Sequence, residues 1–380
     1  MKQENRLSFT MYMVLAVWIL GQIGLIIYFW GKPQGSDPGV YMRWARECFE
    51  AGKWYPMDKH VYSSYICTGG LINFMILQLK LFGTLNVNMI FNLLMNIAIA
   101  TEIYFLGNRF FSKKTASYAV IIWCFLYSNL MVVVSAGTEI PFLFLALSAF
   151  CLCLHPRMLF IAAAGVLLAL ANWIRPLASV FLAGIIIYML LKKYEWKHYL
   201  CLLVFLVTVV FTIGKATEKQ IGYFVYQSTT FGVNLITTAN DRAYGGNATS
   251  LFRDSTSTAF IEHLENYTFM QRDSIWRARS FQWISAHPAR YGMLYLKKLA
   301  GLYVEDSWSD RPIFGGDGFV DSYVVGGKVE KSTFMIRAMQ MGLKSLTYYL
   351  ALIAFCYAMV TTFRRKMLTT GKAILLFILL

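Results

Sequence analysis

Apolar runs long enough to cross a bilayer recur along most of this chain, with short polar or basic segments between them. A spanning helix needs about 20 mostly apolar residues, and as few as about 17. Residues 7–30 reach that length easily. Residues 81–101 are uncharged and point to a span at 88–107. Residues 115–138 form another uncharged run, and shorter ones follow at 140–154, 158–174 and 176–191. Two more occupy 199–214 and 345–363, and a last run, 373–380, stops before it could cross. Either the chain continues past this run or its end dips into the bilayer. The pattern predicts an all-α polytopic membrane protein of eight or nine transmembrane helices, with no internal repeat, heptad or low-complexity tract.

Basic residues orient this stack. They cluster at Lys2/Arg6, Arg109/Lys113/Lys114, Arg157, Lys192/Lys193/Lys197 and Arg364/Arg365/Lys366. Lys and Arg accumulate in cytoplasmic loops, so these turns and the N-terminus are expected in the cytoplasm. Residues 69–83 are apolar, but the run is short and contains Lys80. A span there would move the clusters at Arg109, Arg157 and Lys192 to the outer side. It is therefore expected flat at the outer interface, as an amphipathic or re-entrant element. Three parts result: a transmembrane module, 1–214, with a first outer loop at 31–87; an outer region, 215–344; and C-terminal transmembrane segments, 345–380. The outer region contains a Gly/Asn/Asp/Ser-rich stretch at 239–250, and such residues favour turns. It also contains an apolar run at 291–303 interrupted by Lys297 and Lys298, which is expected to be a second interfacial helix.

Composition agrees with the membrane reading. Only 14% of the 380 residues are charged and 57% are hydrophobic, whereas soluble domains carry about a quarter charged residues. The net charge of +15 would by itself evoke nucleic acid. In a membrane protein it is accounted for by topology-fixing Lys/Arg and by anionic lipid, so membrane lipid is the expected partner and nucleic acid is not. The first run lacks a small-residue cleavage site and is read as an anchor, in the inner (plasma) membrane. Of seven cysteines, only Cys48 and Cys67 fall in a polar stretch where a disulfide could form.

Three residues stand out as chemistry. Asp37, in Ser36-Asp37-Pro38-Gly39, precedes a segment at 40–52 with Tyr41, Trp44, Ala45, Cys48 and Phe49 at helical spacing. Arg43, Arg46, Glu47 and Glu50 occupy the other face, the pattern of an amphipathic helix on the membrane surface. Asp37 suits a helix N-cap with Pro38 at the first helical position; it also suits a carboxylate held where a lipid-borne substrate presents its head group. Glu139 lies between two apolar runs with no cation near it in sequence, and acids so placed are costly and often functional. Glu102 also lies in an apolar run, but with Arg109 close by, and is expected to be structural. Arg175, in Ile174-Arg175-Pro176, is one of few cations on the predicted outer side. It is either a snorkelling side chain or a guanidinium for phosphate, to which its geometry is matched. Tyr41, Arg43, Asp241 and Arg242 are further candidates for substrate contacts. So, less strongly, are His60, His263, His287, Asp306, Asp310 and Arg311, which are otherwise solvated or structural.

Transfer of a sugar from a polyprenyl phosphate requires stabilisation of the released phosphate by cation or metal. It also requires a carboxylate to take the acceptor hydroxyl's proton. Two acids and an Arg on one membrane face could supply those roles. The residues resemble the GT-C superfamily of integral-membrane glycosyltransferases, in the branch of protein mannosyltransferases and lipid A aminoarabinose transferases. The resemblance rests on Ser36-Asp37-Pro38-Gly39-Val40-Tyr41 with Ala45 and Gly52, on Leu106-Gly107-Asn108-Arg109-Phe110-Phe111-Ser112-Lys113-Lys114, on Thr138-Glu139-Ile140-Pro141-Phe142, and on Ala171-Asn172-Trp173-Ile174-Arg175-Pro176-Leu177. These short motifs run in family order over about the first half of the chain. The resemblance implies an inverting transferase with a polyprenyl-phosphate-linked sugar as donor and a glycan, lipid or protein as acceptor. It implies Asp37 as base or acceptor-orienting group, Glu139 as second acid, and Arg175 toward the donor's phosphate. No Asp-x-Asp pair occurs in the first loop, which leaves a divalent metal without its usual ligands there; 240–247 resembles the family's loops only loosely. Two alternatives differ in what they require. An O-antigen-type polymerase or ligase expects Arg and His in a large late loop, and a transporter of lipid-linked or small solutes expects paired repeats and interrupted helices.

Overall fold

The computed structural model describes residues 2–63, 65–243, 249–302 and 331–364. Among them every regular element is a helix and no strand occurs. Helices α1 (Lys2–Phe29), α5 (Val87–Phe110) and α11 (Trp196–Ile221) follow three of the predicted apolar runs. Among the described residues, three helices, Arg6–Phe29 within α1, α5 and α11, are long and apolar enough to cross a membrane. Their apolar residues point largely outward: Val17, Leu20 and Ile27 of α1 and Val204, Val207 and Phe211 of α11 are exposed. A helix that shows apolar residues outward in this way suits lipid better than water.

The run at 115–138, expected as one span, is broken. Helix α6 (Lys113–Phe125) and α7 (Tyr127–Met131), which continues into the 3-10 turn Val132–Val134, meet at a bend of 68°. Leu126 at the bend is extended, with ψ of 124°. The break frees backbone groups that carboxamides then satisfy: Asn129 donates to the Trp123 carbonyl at 3.1 Å. If the pair is one broken span, four helical segments are long and apolar enough to cross.

The main core gathers the shorter apolar helices α8 (Glu139–Cys153), α9 (Met158–Ile174) and α10 (Ala178–Leu191) with α2 (Ser36–Glu50) and α4 (Gly69–Phe82). Helix α4, expected at the outer interface as an amphipathic or re-entrant element, packs one side into this core: Leu71, Ile72, Met75 and Ile76 are buried, while Leu77, Leu81 and Phe82 are exposed. One expectation is corrected: most of the apolar face of α2, expected on the membrane surface, is covered by protein, with Met42, Trp44, Ala45 and Cys48 buried and Trp44 stacked on Tyr55 at 5.6 Å, while Phe49 is exposed. Arg43, Arg46 and Glu50 are exposed, as the spacing predicts. All seven cysteines are free, so Cys48 and Cys67 are not bridged. Glu102 accepts a hydrogen bond from the Ser148 hydroxyl and has no ion pair with Arg109.

The later region has small cores of its own. Ile236, Leu251, Ala259, Ile261 and Trp276 form one, and Ala239, Ala243, Trp283 and Leu294 another. They join the short α12 (Phe231–Ile236), α13 (Phe269–Ala286) and α14 (Pro288–Leu302). Thr268 and Gln271 close a reciprocal capping box at the start of α13, which satisfies two otherwise unpaired N–H groups. Helix α14 covers the run at 291–303 up to Leu302 and exposes Met293, Tyr295, Leu296 and Leu299. Arg272 ties this region to the first loop by donating to the Leu264 carbonyl at 3.0 Å and to the Tyr62 carbonyl. Thr229 adds a second tie, its N–H donating to the Ile66 carbonyl at 2.8 Å. The last described helix, α15 (Lys331–Arg364), contains the run at 345–363. Residues 244–247, Asp306, Asp310, Arg311 and 373–380 lie outside the described residues.

Candidate functional site

Asp37, Tyr41, Glu139 and Arg175 line a single cavity of about 900 Å³. They come from three separate stretches of chain. Asp37 is in the first turn of α2, but it is not the cap: Gly35 holds that position and no side-chain capping bond forms. The entry to α2 is tight instead. Ser36 has a left-handed φ of 53°, and Gly39 lies so close to the Gln34 carbonyl that any Cβ would collide with it. The exposed Asp37 carboxylate is thereby left for the cavity.

Glu139 opens α8, where a carboxylate is favoured by the helix dipole. Arg175 ends α9 in extended conformation, as a residue before proline prefers. Its Nη1 donates to Glu139 Oε1 at 2.6 Å and to Thr138 Oγ1 at 3.4 Å. The cation that Glu139 lacks nearby in sequence is thus supplied across the fold. A Cβ at position 137 would lie 2.5 Å from Glu139 Oε2, so Gly137 leaves room for the carboxylate.

The irregular segment leading to Glu139 is held by carboxamides that a search for charged residues overlooks. Gln34 donates to the Val134 carbonyl at 2.7 Å and accepts from the Ala136 N–H at 2.8 Å. Asn92 donates to the carbonyls of Val133 and Ser135 at 3.1 and 2.8 Å. Asn96 donates to the Asn129 carbonyl at 3.0 Å and to Gln22 Oε1 at 3.4 Å. Non-helical backbone is tolerated at membrane depth only where such groups satisfy it. The signal was present: Asn88, Asn92 and Asn96 recur every fourth residue in an uncharged apolar run, a polar stripe that must face protein. Gln34 is more consequential still, because it links the segment carrying Asp37 to the one carrying Glu139.

The rest of the wall is uncharged, with Ser128, Asn129, Ser228, Thr230, Asn234 and Thr237 among its residues. Burial raises the Tyr41 phenol above its ordinary pKa, with neighbouring Cys67 and Asp37 adding to the effect, so Tyr41 stays a neutral hydrogen-bonding group. Burial pushes the Cys67 thiol up to about 11; a thiol in that state is a poor nucleophile at neutral pH. Among the described residues no three His, Cys, Asp or Glu side chains gather as a metal site.

Arg43, Asp241 and Arg242 do not line this cavity. Arg43 is exposed. Asp241 accepts from Trp283 Nε1 at 2.8 Å and lies 3.8 Å from Arg290. Arg242 pairs with Asp254, whose carboxyl is lowered to about 2 by hydrogen bonds from Thr256 first and Arg242 second. Charged residues in a surface loop satisfy each other there instead of reaching a distant ligand. His263 and His287 are also outside the lining; His287 stacks on Trp283 at 5.0 Å.

A second cavity has a volume of about 640 Å³. Its walls are apolar, with Trp54, Phe74, Leu77, Phe144, Leu170 and Trp173 among them. Ile174 lines both cavities. Pro141 and Ile174 face the apolar cavity while Glu139 and Arg175, beside them in sequence, face the polar one. The ion pair therefore lies beside Ile174, the residue that both cavities share. Compared with known protein families, with curated proteins and with solved structures, the chain matches none.

Proposed function

We propose that this chain is a glycosyltransferase that moves a sugar from a polyprenyl-phosphate donor to a glycan, lipid or protein acceptor, with inversion, on the outer side of the plasma membrane. In this reading it is a GT-C-like bundle of eight or nine spans with a cytoplasmic N-terminus. One observation carries the reading: Asp37, Glu139 and Arg175 line one polar cavity, and an apolar cavity shares the lining residue Ile174 with it. The apolar cavity suits the isoprenoid chain, and the uncharged Ser/Thr/Asn wall suits a polyhydroxylated sugar. Asp37, exposed in the cavity and away from Arg175's pair, takes the acceptor hydroxyl's proton or orients that hydroxyl. Arg175 stabilises the phosphate as it leaves.

The test is transfer in membranes supplied with labelled polyprenyl-phosphate sugars, wild type beside Asp37→Asn. The variant is expected to lose turnover by about a hundredfold or more, the scale of a general base, while remaining monodisperse on extraction. Undiminished transfer by Asp37→Asn would refute the role given to Asp37.

A second reading, a transporter of lipid-linked or small solutes, draws on one observation. The span broken at Leu126 contributes Ser128, Asn129 and Val132 to the cavity wall, and interrupted helices are common at transport sites. The same assay separates the two, because a transporter moves the label across the membrane without forming a new glycosidic bond.

A further inference from the structure

We propose that Glu139 is a built-in stand-in for the substrate's phosphate: it holds Arg175 in the unliganded protein and must be displaced for a phosphate to bind. This rests on the reading just given. Among the described residues lining the polar cavity, Arg175 is the only Lys, Arg or His. Its guanidinium is already engaged by Glu139 Oε1 at 2.6 Å. A phosphate arriving in the polar cavity would place a second anion on one guanidinium, next to the first. Like charges at such range repel, so the phosphate takes the cation only as the carboxylate gives it up.

Glu139 is suited to give way. Its side chain remains 56% exposed and that of Arg175 38%, so the pair opens on the cavity and is not locked in the core. The space beside the carboxylate is kept free by Gly137. The backbone beneath, by contrast, is fixed by Gln34 and Asn92, so side-chain rotation alone can make the exchange. Displacement has a second consequence. A carboxylate neutralised by Arg175 becomes a free acid in the same cavity as Asp37, and it does so only when a phosphate has arrived. The exchange thus couples the arrival of the donor's phosphate to the release of the second acid.

The experiment is direct binding to purified full-length protein in nanodiscs, read by a method that needs no turnover. The probes are a polyprenyl monophosphate, the corresponding polyprenol, and inorganic phosphate; the proteins are wild type, Glu139→Gln, Glu139→Ala and Arg175→Gln. Removing the competing charge is expected to tighten polyprenyl monophosphate binding by about threefold to fivefold, the range open to a part-exposed ion pair. Arg175→Gln is expected to weaken it, and polyprenol binding is expected to be the same in all four. If inorganic phosphate shows the same gain, the exchange is a property of the head group alone; if only the lipid shows it, the tail is needed to bring the phosphate to Arg175. Both outcomes support the exchange. Binding that is unchanged or weaker in both Glu139 variants overturns the inference while leaving the proposed function standing. Failure of the wild type to prefer polyprenyl monophosphate over polyprenol overturns both.

Discussion

Asp37 and Asp241 are both acids in long connections between apolar helices, yet their surroundings differ completely. Asp37 is exposed in a cavity with Glu139 and Arg175. Asp241 is taken up by Trp283 and Arg290, and its neighbour Arg242 by Asp254 and Thr256. The first region is knitted into the main core through α2 and α4; the later one rests on small cores of its own. The difference teaches where a reactive charge can be kept. A rigid, core-anchored element can hold a carboxylate away from local partners, whereas a turn-rich loop lets each charge find one. From the later region the cavity receives only uncharged residues, such as Ser228, Thr230 and Asn234.

The comparison breaks most severely at Gln34. Gln34→Ala leaves the Val134 carbonyl and the Ala136 N–H without their partner, at about 1–3 kcal/mol for each buried group. It also unties Asp37's segment from Glu139's. Thermal unfolding is expected at lower temperature, and transfer is expected to fall in turnover more than in donor affinity. Restoration of both by Gln34→Asn would show that the amide's reach is not what matters.

A smaller effect lies in pH. His60 is buried, and burial, followed by the Lys59 cation, lowers its pKa. Its Nδ1 accepts from the Met57 N–H at 3.0 Å, and its ring packs 4.9 Å from Tyr55. The unfolded chain takes up that proton near about pH 6.5, while the folded one resists until lower pH. Its neutral form therefore supports the fold fully above that value, and the support is lost as pH falls toward the folded pKa. Unfolding midpoints measured across pH 7.5 to 5 are expected to fall in the wild type and to fall less in His60→Asn, whose amide oxygen can still accept from Met57.

The smallest effect is expected at Arg242. Arg242→Gln removes an exposed ion pair with no part in the cavity, and such pairs contribute little. Transfer is expected to be unchanged; a loss comparable to that of Gln34→Ala would show that the later region's charges reach the site after all.

Much of the helical plan was legible because it is written in local pattern. The run at 158–174 became α9 (Met158–Ile174) without adjustment, and the span expected at 88–107 became α5 with one more residue at its start and three at its end. Amphipathic spacing in 40–52 correctly separated buried Trp44, Ala45 and Cys48 from exposed Arg43 and Arg46. What that spacing could not say was whether lipid or protein would cover the apolar face, since both are apolar solvents for a side chain. The break at Leu126 was hard to see because the run around it is uncharged, with no Pro or Gly to mark it. The irregular backbone is satisfied by Asn129 beside the break and by the carboxamides of Asn92, Asn96 and Gln34 from other elements.

The sequence by itself determined the helical, membrane-type character of the chain and the short list on which Asp37, Glu139 and Arg175 stood. Those follow from hydrophobic period and from the cost of charge among apolar residues, both of which are local. Tertiary structure alone decided that Glu139 would meet Arg175, 36 residues away, that Gln34 would bridge to residues about 100 positions on, and that Asp241 and Arg242 would be used up elsewhere. Contacts between distant stretches depend on how helices pack, and helix packing is set by the shapes of whole faces, which no periodicity along the chain encodes.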